Sequence, residues 1–272
     1  MPWVTTTDVE RFLEEAGSFL VADAVANAVL LTEAGFWSRL GDPVPAATFG
    51  WWADAGVTEG AFVHLPDHPV LCSPLGGASV LDLPRVLQDV TWLGVEARNA
   101  ADVAAAWLHG RGVVLRLGSP IAVLRLQHLR EPGGCAGVPR VAGQDDMPLL
   151  RSWFSLFRER FPQDPSHVAF VIDQPLDAGS VILWEVDGSP VAMSSRTPPI
   201  AGIVRMGLTF QPTKGSRYAE AAFAAGCASA AREAEHVLVL TADPATTAEY
   251  EALGFTEVCH RVVLQRRNAR LP

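Results

Sequence analysis

Four consecutive apolar residues near the C-terminus, Val237-Leu238-Val239-Leu240, constrain the fold more than any other segment. A continuous apolar run of this length is typical of a strand covered on both faces, as in parallel sheets flanked by helices. The next segment predicts a helix, because Asp243 suits the N-cap, Pro244 the first helical position and Gly254 a left-handed stop. A last strand is expected at 256–264. This alternation of strands and helices predicts an α/β fold with a mixed central sheet.

A segment rich in proline and glycine divides the chain into two halves of similar length. Residues 131–139 contain three glycines and two prolines, which can sustain neither a helix nor a central strand. The total of 272 residues is enough for about two domains. We therefore predict domains at 1–135 and 136–272, each with a sheet flanked by helices.

The two halves also share a faint internal repeat. In each half, two strand candidates flank a turn that contains an acidic residue and a glycine. This pattern covers 49–65 in the first half and 181–197 in the second. Aligning these segments superposes Trp52 on Trp184, Gly56 on Gly188, and Pro66 on Pro198. Chance coincidence is the competing explanation for three matches.

Further elements follow from local patterns. Apolar residues at helical spacing predict helices at 9–32, 83–90, 101–108, 147–160 and 215–232. Alternation and turn residues predict a hairpin of 181–186 and 191–195 around Asp187-Gly188, a strand at 203–210, and a hairpin or two strands within 113–129.

Composition narrows the classes of protein. About half of the residues are apolar (49%) and 19% are charged, as in ordinary globular proteins. A net charge of -9 without a basic run argues against nucleic acid or anionic lipid as a partner. The N-terminus has no export signal and the apolar stretch 19–36 contains Asp23 and Glu33, so a cytoplasmic protein without a membrane span is expected. The four cysteines lack metal or disulfide spacing and indicate reduced thiols.

The C-terminal half contains, in order, a strand at 203–210, the loop Gln211-Pro212-Thr213-Lys214-Gly215-Ser216-Arg217-Tyr218-Ala219, a helix, the apolar strand, and a helix ending Tyr250-Glu251-Ala252-Leu253-Gly254-Phe255. This order resembles the GNAT acyltransferase superfamily. The motifs cover 203–264 closely, 140–197 less closely, and the first half only through the repeat. The chain as a whole resembles a tandem GNAT protein whose N-terminal copy has lost its cofactor loop.

The resemblance implies a cosubstrate, acetyl-CoA, whose diphosphate binds the amides at a helix N-terminus. The family loop has Gln or Arg, two residues, Gly, one residue, and Gly or Ala. Pro212 occupies the first of these positions, Gly215 the central glycine and Arg217 the last. Pro212 and Arg217 therefore differ from the family pattern. The Arg217 side chain either fills space near the diphosphate or binds a phosphate oxygen. The implied cofactor-binding residues are Leu208, Thr209, Phe210, Lys214, Gly215, Ser216, Arg217, Tyr218, Ala219 and Asp243.

Some of these residues have simpler explanations. The alternative for Lys214 is a solvated loop lysine, and an N-cap role already explains Asp243. The strand 203–210 contains Gly207, which marks either a β-bulge or a glycine admitted for packing. A bulge would turn the amide of Leu208 or Thr209 toward the thioester oxygen, which is the catalytic role assigned to Leu208.

The resemblance implies a catalytic acid, Tyr250, at the place where family members often carry a tyrosine that protonates the departing CoA thiolate. Aromatic packing under the last helix is the alternative role. The proton acceptor for the amine is open among Glu185, His260 and a chain of waters. The pair of His64 and His68 lacks further ligands, so we predict no metal site.

The function implied by the resemblance is transfer of an acetyl group from acetyl-CoA to a primary amine of a small molecule or aminoacyl compound. The expected partner is this small molecule, with a homodimer left open and neither nucleic acid nor membrane as a partner. The alternatives are a noncatalytic acyl-CoA-binding or protein-interaction module on the same scaffold, and a purely structural pseudoenzyme.

Overall fold

The computed structural model describes residues 3–41, 47–66, 68–164, 166–213 and 217–267. These residues form two compact units. Unit 1 contains the described parts of 1–123, 240–243 and 258–272, and unit 2 those of 124–239 and 244–257. The predicted domain boundary after residue 135 lies within unit 2. Three strands, Leu115–Leu126, His236–Thr241 and Phe255–Arg266, have residues in both units.

The first half of the chain contains β1 (Val4–Thr6), α1 (Val9–Ala22), α2 (Ala28–Leu40), β2 (Thr48–Asp54), β3 (Val57–His64), β4 (Val70–Cys72), α3 (Gly77–Val86), β5 (Trp92–Glu96), α4 (Ala100–Arg111) and β6 (Leu115–Leu126). The second half contains β7 (Val138–Val141), α5 (Met147–Arg160), α6 (Gln174–Asp177), β8 (Val181–Val186), β9 (Ser189–Arg196), β10 (Ile203–Phe210), α7 (Tyr218–Ala230), β11 (His236–Thr241), α8 (Pro244–Ala252) and β12 (Phe255–Arg266). Within the described ranges, each helix is too short or too polar to span a bilayer.

The sheet of unit 1 has the strand order β1-β2-β3-β4-β5-β12. Its neighbours are antiparallel except β4 and β5, which run parallel. The last strand of the chain therefore pairs with a strand of the first half, with Arg261 opposite Glu96. The core of this unit contains side chains from β3, α3, α4 and β12, among them Phe62, Leu83, Trp107 and Leu264.

The sheet of unit 2 has the order β11-β10-β9-β8-β7. Among the described residues of these strands, β10 and β11 run parallel, as the apolar run at 237–240 predicts, and the other neighbours in this order run antiparallel. Helices α5 and α6 cover one face, where Leu150 and Trp153 pack with Leu183 and Met193. Helix α7 packs on β8 and β9. The predicted fold class, α/β with a mixed sheet flanked by helices in each half, is confirmed.

The internal repeat is also confirmed, because the two aligned hairpins have the same register. Trp52 of β2 and Trp184 of β8 each immediately precede an irregularity in the pairing with the next strand. The turn residues have left-handed φ in both copies: 47° at Ala55, 83° at Gly56, 50° at Asp187 and 73° at Gly188. Such paired left-handed residues match the twist of a two-residue hairpin turn.

Three predicted elements were wrong in extent. One is the helix expected at 83–90, which is α3 at Gly77–Val86. The single helix expected at 9–32 is α1 followed by α2, because the Asp23 carboxylate accepts a hydrogen bond from the Ala26 amide (3.1 Å) and turns the chain between them. The hairpin or two strands expected within 113–129 is the single strand β6, which continues through the Gly118-Ser119-Pro120 break.

Candidate functional site

A β-bulge lies in β10 where it pairs with β9. Met206 is opposite Arg196 and Thr209 is opposite Ser194, so Gly207 and Leu208 together face Ser195. A Cβ at Gly207 would lie 2.9 Å from the Ser195 hydroxyl oxygen, which is too close for a side chain. The predicted bulge is therefore present, and glycine is needed there for the close approach of β9.

The bulge determines where the Leu208 amide points. This amide donates a 3.0 Å hydrogen bond to the buried Ser195 hydroxyl, and the Leu208 side chain is itself buried. An oxyanion at this amide would therefore have to share or replace the Ser195 bond. The neighbouring Thr209 hydroxyl is 2.9 Å from the Ser194 hydroxyl.

A cleft of about 860 Å³ lies in unit 2 at the carboxyl end of β10. The described pairing of β10 with β11 covers only Ile203–Arg205, so the later residues of β10 separate from β11. Crevices beyond the carboxyl ends of strands are the usual binding sites of α/β sheets. The cleft walls come from β10, both ends of the loop that follows it, α7, α8 and the segment 130–133. Five predicted residues meet there: Thr209, Phe210, Arg217, Ala219 and Tyr250.

The first turn of α7 already has intramolecular partners. The Gln211 side-chain oxygen accepts a 2.8 Å hydrogen bond from the Ala219 amide. The Arg217 guanidinium binds the Glu220 carboxylate with two bonds, of 2.7 and 2.6 Å. This pair lowers the pKa of Glu220 and raises that of Arg217. An anionic ligand at this helix end would compete with both contacts.

Arg160, at the end of α5, holds the start of the loop. Its guanidinium donates to the carbonyls of Gln211 (3.3 Å) and Pro212 (3.0 Å). It also lies over the Phe210 ring, 5.0 Å from the ring centre. Arg160 forms no ion pair within the described part of the chain, so its positive charge is not neutralised by a carboxylate.

Tyr250 of α8 lies in an aromatic group at the cleft wall. Its ring stacks on Phe223, with centres 5.3 Å apart, and lies 5.7 Å from Phe255. Burial raises the pKa of Tyr250 above its ordinary value, and Cys227 and Glu249 raise it further. The hydroxyl is therefore protonated at neutral pH, which an acid catalyst requires. Tyr250 thus both packs in this aromatic group and lines the cleft.

Other predicted residues lie elsewhere. Lys214, Gly215 and Ser216 are outside the described residues. Tyr218 opens α7 but does not line the described cleft, and Asp243 lies in unit 1 directly before Pro244. Among the candidate bases, Glu185 accepts a 2.8 Å hydrogen bond from Arg140, away from the cleft lining. His260 belongs to unit 1.

In unit 1, the loop that follows β4 is bonded to the residue before α4. Strands β4 and β5 form the parallel pair of this unit, and a short loop leads from β4 into α3. Asn99 accepts a hydrogen bond from the Leu75 amide (3.0 Å) and donates one to the Leu75 carbonyl (2.6 Å). Both residues are buried. These bonds tie the loop to the start of α4, so a ligand cannot use this backbone without breaking them.

Sequence reasoning missed several residues of the cleft. Glu220 stands three residues after Arg217, a helical spacing that favours an ion pair and was available as a signal. Arg130, Arg160 and Gln211 carry no such local signal, because their contacts join segments that are distant in sequence.

Several solved structures with a similar fold are described as GNAT proteins. No protein-family model matches the sequence, and no curated protein shows significant similarity to it. A GNAT-family acetyltransferase from Colwellia psychrerythraea is 12% identical, with a TM-score of 0.60 over 98% of this chain and 99% of that one. A GCN5-related N-acetyltransferase from Sphaerobacter thermophilus is 16% identical, with a TM-score of 0.59 over 97% and 95%. A tandem GNAT protein from the clavulanic acid biosynthesis pathway is 13% identical, with a TM-score of 0.53 over 98% and 99%. The chain therefore has a tandem GNAT-like fold.

Proposed function

We propose that this chain is an acetyl-CoA-dependent N-acetyltransferase acting on a primary amine of a small molecule or aminoacyl compound. The observation that carries the proposal is the cleft where β10 leaves β11, because it joins a helix N-terminus, arginine side chains and a protonated tyrosine. The chemistry is assigned to the C-terminal half, 136–272, with 1–135 as the degenerate copy.

The residues of the cleft fit a phosphorylated thioester. Anionic phosphates suit the first turn of α7 and the guanidinium groups of Arg160 and Arg217. Acetyl-CoA supplies an activated acetyl group: attack by a neutral amine forms a carbon–nitrogen bond and the carbon–sulfur bond breaks. Tyr250 lines the cleft and in this proposal gives its proton to the leaving thiolate. A water chain is the acceptor proposed for the amine proton, since Glu185 is held by Arg140 and neither Glu185 nor His260 lines the described cleft.

A second function is favoured by two specific contacts. Arg217 is paired with Glu220, and the Leu208 amide is bonded to Ser195. Both contacts occupy groups that an active enzyme would present to its cosubstrate. A noncatalytic acyl-CoA-binding or protein-interaction module would keep such contacts at no cost to its role.

Calorimetry with acetyl-CoA, followed by CoA-thiol release over a panel of primary amines, tests these functions. One bound acetyl-CoA per chain with amine-dependent thiol release is the result expected of the transferase. Binding without release for any amine would support the binding module. Absence of binding at millimolar acetyl-CoA would refute the proposed function.

The substitution Glu220→Gln should tighten acetyl-CoA binding by about two- to fivefold, because it frees Arg217 and removes a negative charge from the first turn of α7. The gain should shrink at high salt, since the pair is exposed. Glu159→Gln removes an exposed carboxylate of α5 that does not line the cleft and is the matched control. Equal or weaker binding by the Glu220 variant would show that the ion pair does not compete with the ligand.

A further inference from the structure

The segment that connects the two halves is fixed against the end of α8. We define the connecting segment as residues 127–133, all of which belong to unit 2. The Gln127 amide donates to the Gly254 carbonyl and the Arg130 amide to the Leu253 carbonyl, each at 3.0 Å. Gly254 has a φ of 99°, and a Cβ there would lie 1.8 Å from the His128 carbonyl oxygen. The connecting segment is thus held by backbone contacts that only glycine at this position permits.

The same segment forms a wall of the cleft. Its residues 130–133 line the cleft together with Arg217 and Tyr250. The carbonyl of Gly133 also lies 3.5 Å from an Arg217 guanidinium nitrogen, at the limit of a hydrogen bond. The connecting segment therefore lines the same space as the loop and α8.

The charges of the cleft single out one residue of this segment. Arg217 is neutralised by Glu220, and Arg160 is occupied by two loop carbonyls. The Arg130 side chain is exposed and makes no hydrogen bond or ion pair within the described residues. Two cleft carboxylates, Glu131 and Glu249, also lack an ion pair there, so the cleft is not uniformly positive. Arg130 is thus the cleft guanidinium whose hydrogen-bond donors are all available to a ligand.

We propose that the connecting segment is part of the cosubstrate site and that Arg130 binds a phosphate of coenzyme A. This inference rests on the proposed function. A guanidinium matches phosphate oxygens with two parallel hydrogen bonds, and its charge does not depend on pH. The backbone bonds at Leu253 and Gly254 fix the position of Arg130 at the cleft edge, which reduces the ordering cost of binding. A guanidinium from outside the loop would offset the departures at Pro212 and Arg217.

Calorimetry with coenzyme A on the full chain tests the role of Arg130. Arg130→Gln should weaken binding by about three- to tenfold. Arg130→Lys should weaken it less, because lysine keeps the positive charge but lacks the paired N–H donors of the guanidinium. Arg232→Gln is the matched control, because Arg232 is an exposed arginine of unit 2 that does not line this cleft. Its binding should stay within about twofold of the unsubstituted chain.

The outcomes separate this inference from the proposed function. If the unsubstituted chain binds coenzyme A and the Arg130 and Arg232 variants bind equally well, the role of Arg130 is refuted and the proposed function stands. If the unsubstituted chain does not bind coenzyme A, both are refuted. Thermal unfolding of each variant checks that the weaker binding of the Arg130 variant does not reflect lost structure.

Discussion

Tyr250→Phe should lower the rate of acetyl transfer by about a hundredfold while the affinity for coenzyme A stays within about twofold. The substitution removes only the hydroxyl, so the ring still stacks on Phe223 and lies beside Phe255. Without an acid, the thiolate must leave unprotonated or take a proton from water. Steady-state release of the CoA thiol, with the amine identified in the turnover panel, measures the effect.

The pH dependence provides a second test of the same residue. An acid catalyst is active while protonated, and burial raises the pKa of Tyr250 above the ordinary value of about 10. Ionisation of Tyr250 should therefore cause no fall in rate until the pH rises above about 10, and the Phe variant should lack that fall. An unchanged rate in the Phe variant would leave Tyr250 with packing as its role.

Gly254→Ala should destabilise the protein by about 3 kcal/mol or more, lowering the thermal midpoint by roughly 6 °C or more. Two costs add at this position. A φ of 99° is strained for alanine, and its Cβ would overlap the His128 carbonyl oxygen at 1.8 Å. Relief requires the connecting segment to move, which breaks the backbone bonds at Gly254 and Leu253.

Gly179→Ala separates these two costs. Gly179 has a φ of 63° in the same unit, but nothing lies within 4 Å of the position of its added Cβ. Its substitution should cost only about 1 to 2 kcal/mol, from backbone strain alone. If the two variants unfold at the same temperature, the connecting segment is not held against Gly254. If Gly254→Ala also weakens coenzyme A binding, the position of Arg130 contributes to the affinity of the cleft for coenzyme A.

Local patterns were sufficient to predict much of the second half. Helix α5 and strand β10 have the predicted bounds, and α8 starts at Pro244, where that residue suits the first turn. The Gly207 bulge and the left-handed Gly254 were also predicted. Each of these features depends on residues within a few positions of one another, so periodicity, caps and turn residues are enough to specify them.

Prediction was weaker where local signals compete. The long helix expected at 9–32 divides because an aspartate side chain bonds to the backbone in place of the helix. The residues of the loop show the same limit. Pro212 and Arg217 were recognised as departures, but the sequence did not indicate whether Arg217 would face a ligand or a carboxylate.

The sequence by itself determined the order of strands and helices from β8 to β12, the hairpin repeat and the position of Tyr250 at the end of a helix. Tertiary structure alone decided that Ser195 binds the Leu208 amide, that the last strand pairs with β5, and that Arg130 lines the cleft. The physical reason is the range of the interactions. Propensity and capping act over a few residues, whereas these contacts join segments that meet only when the sheets and helices pack.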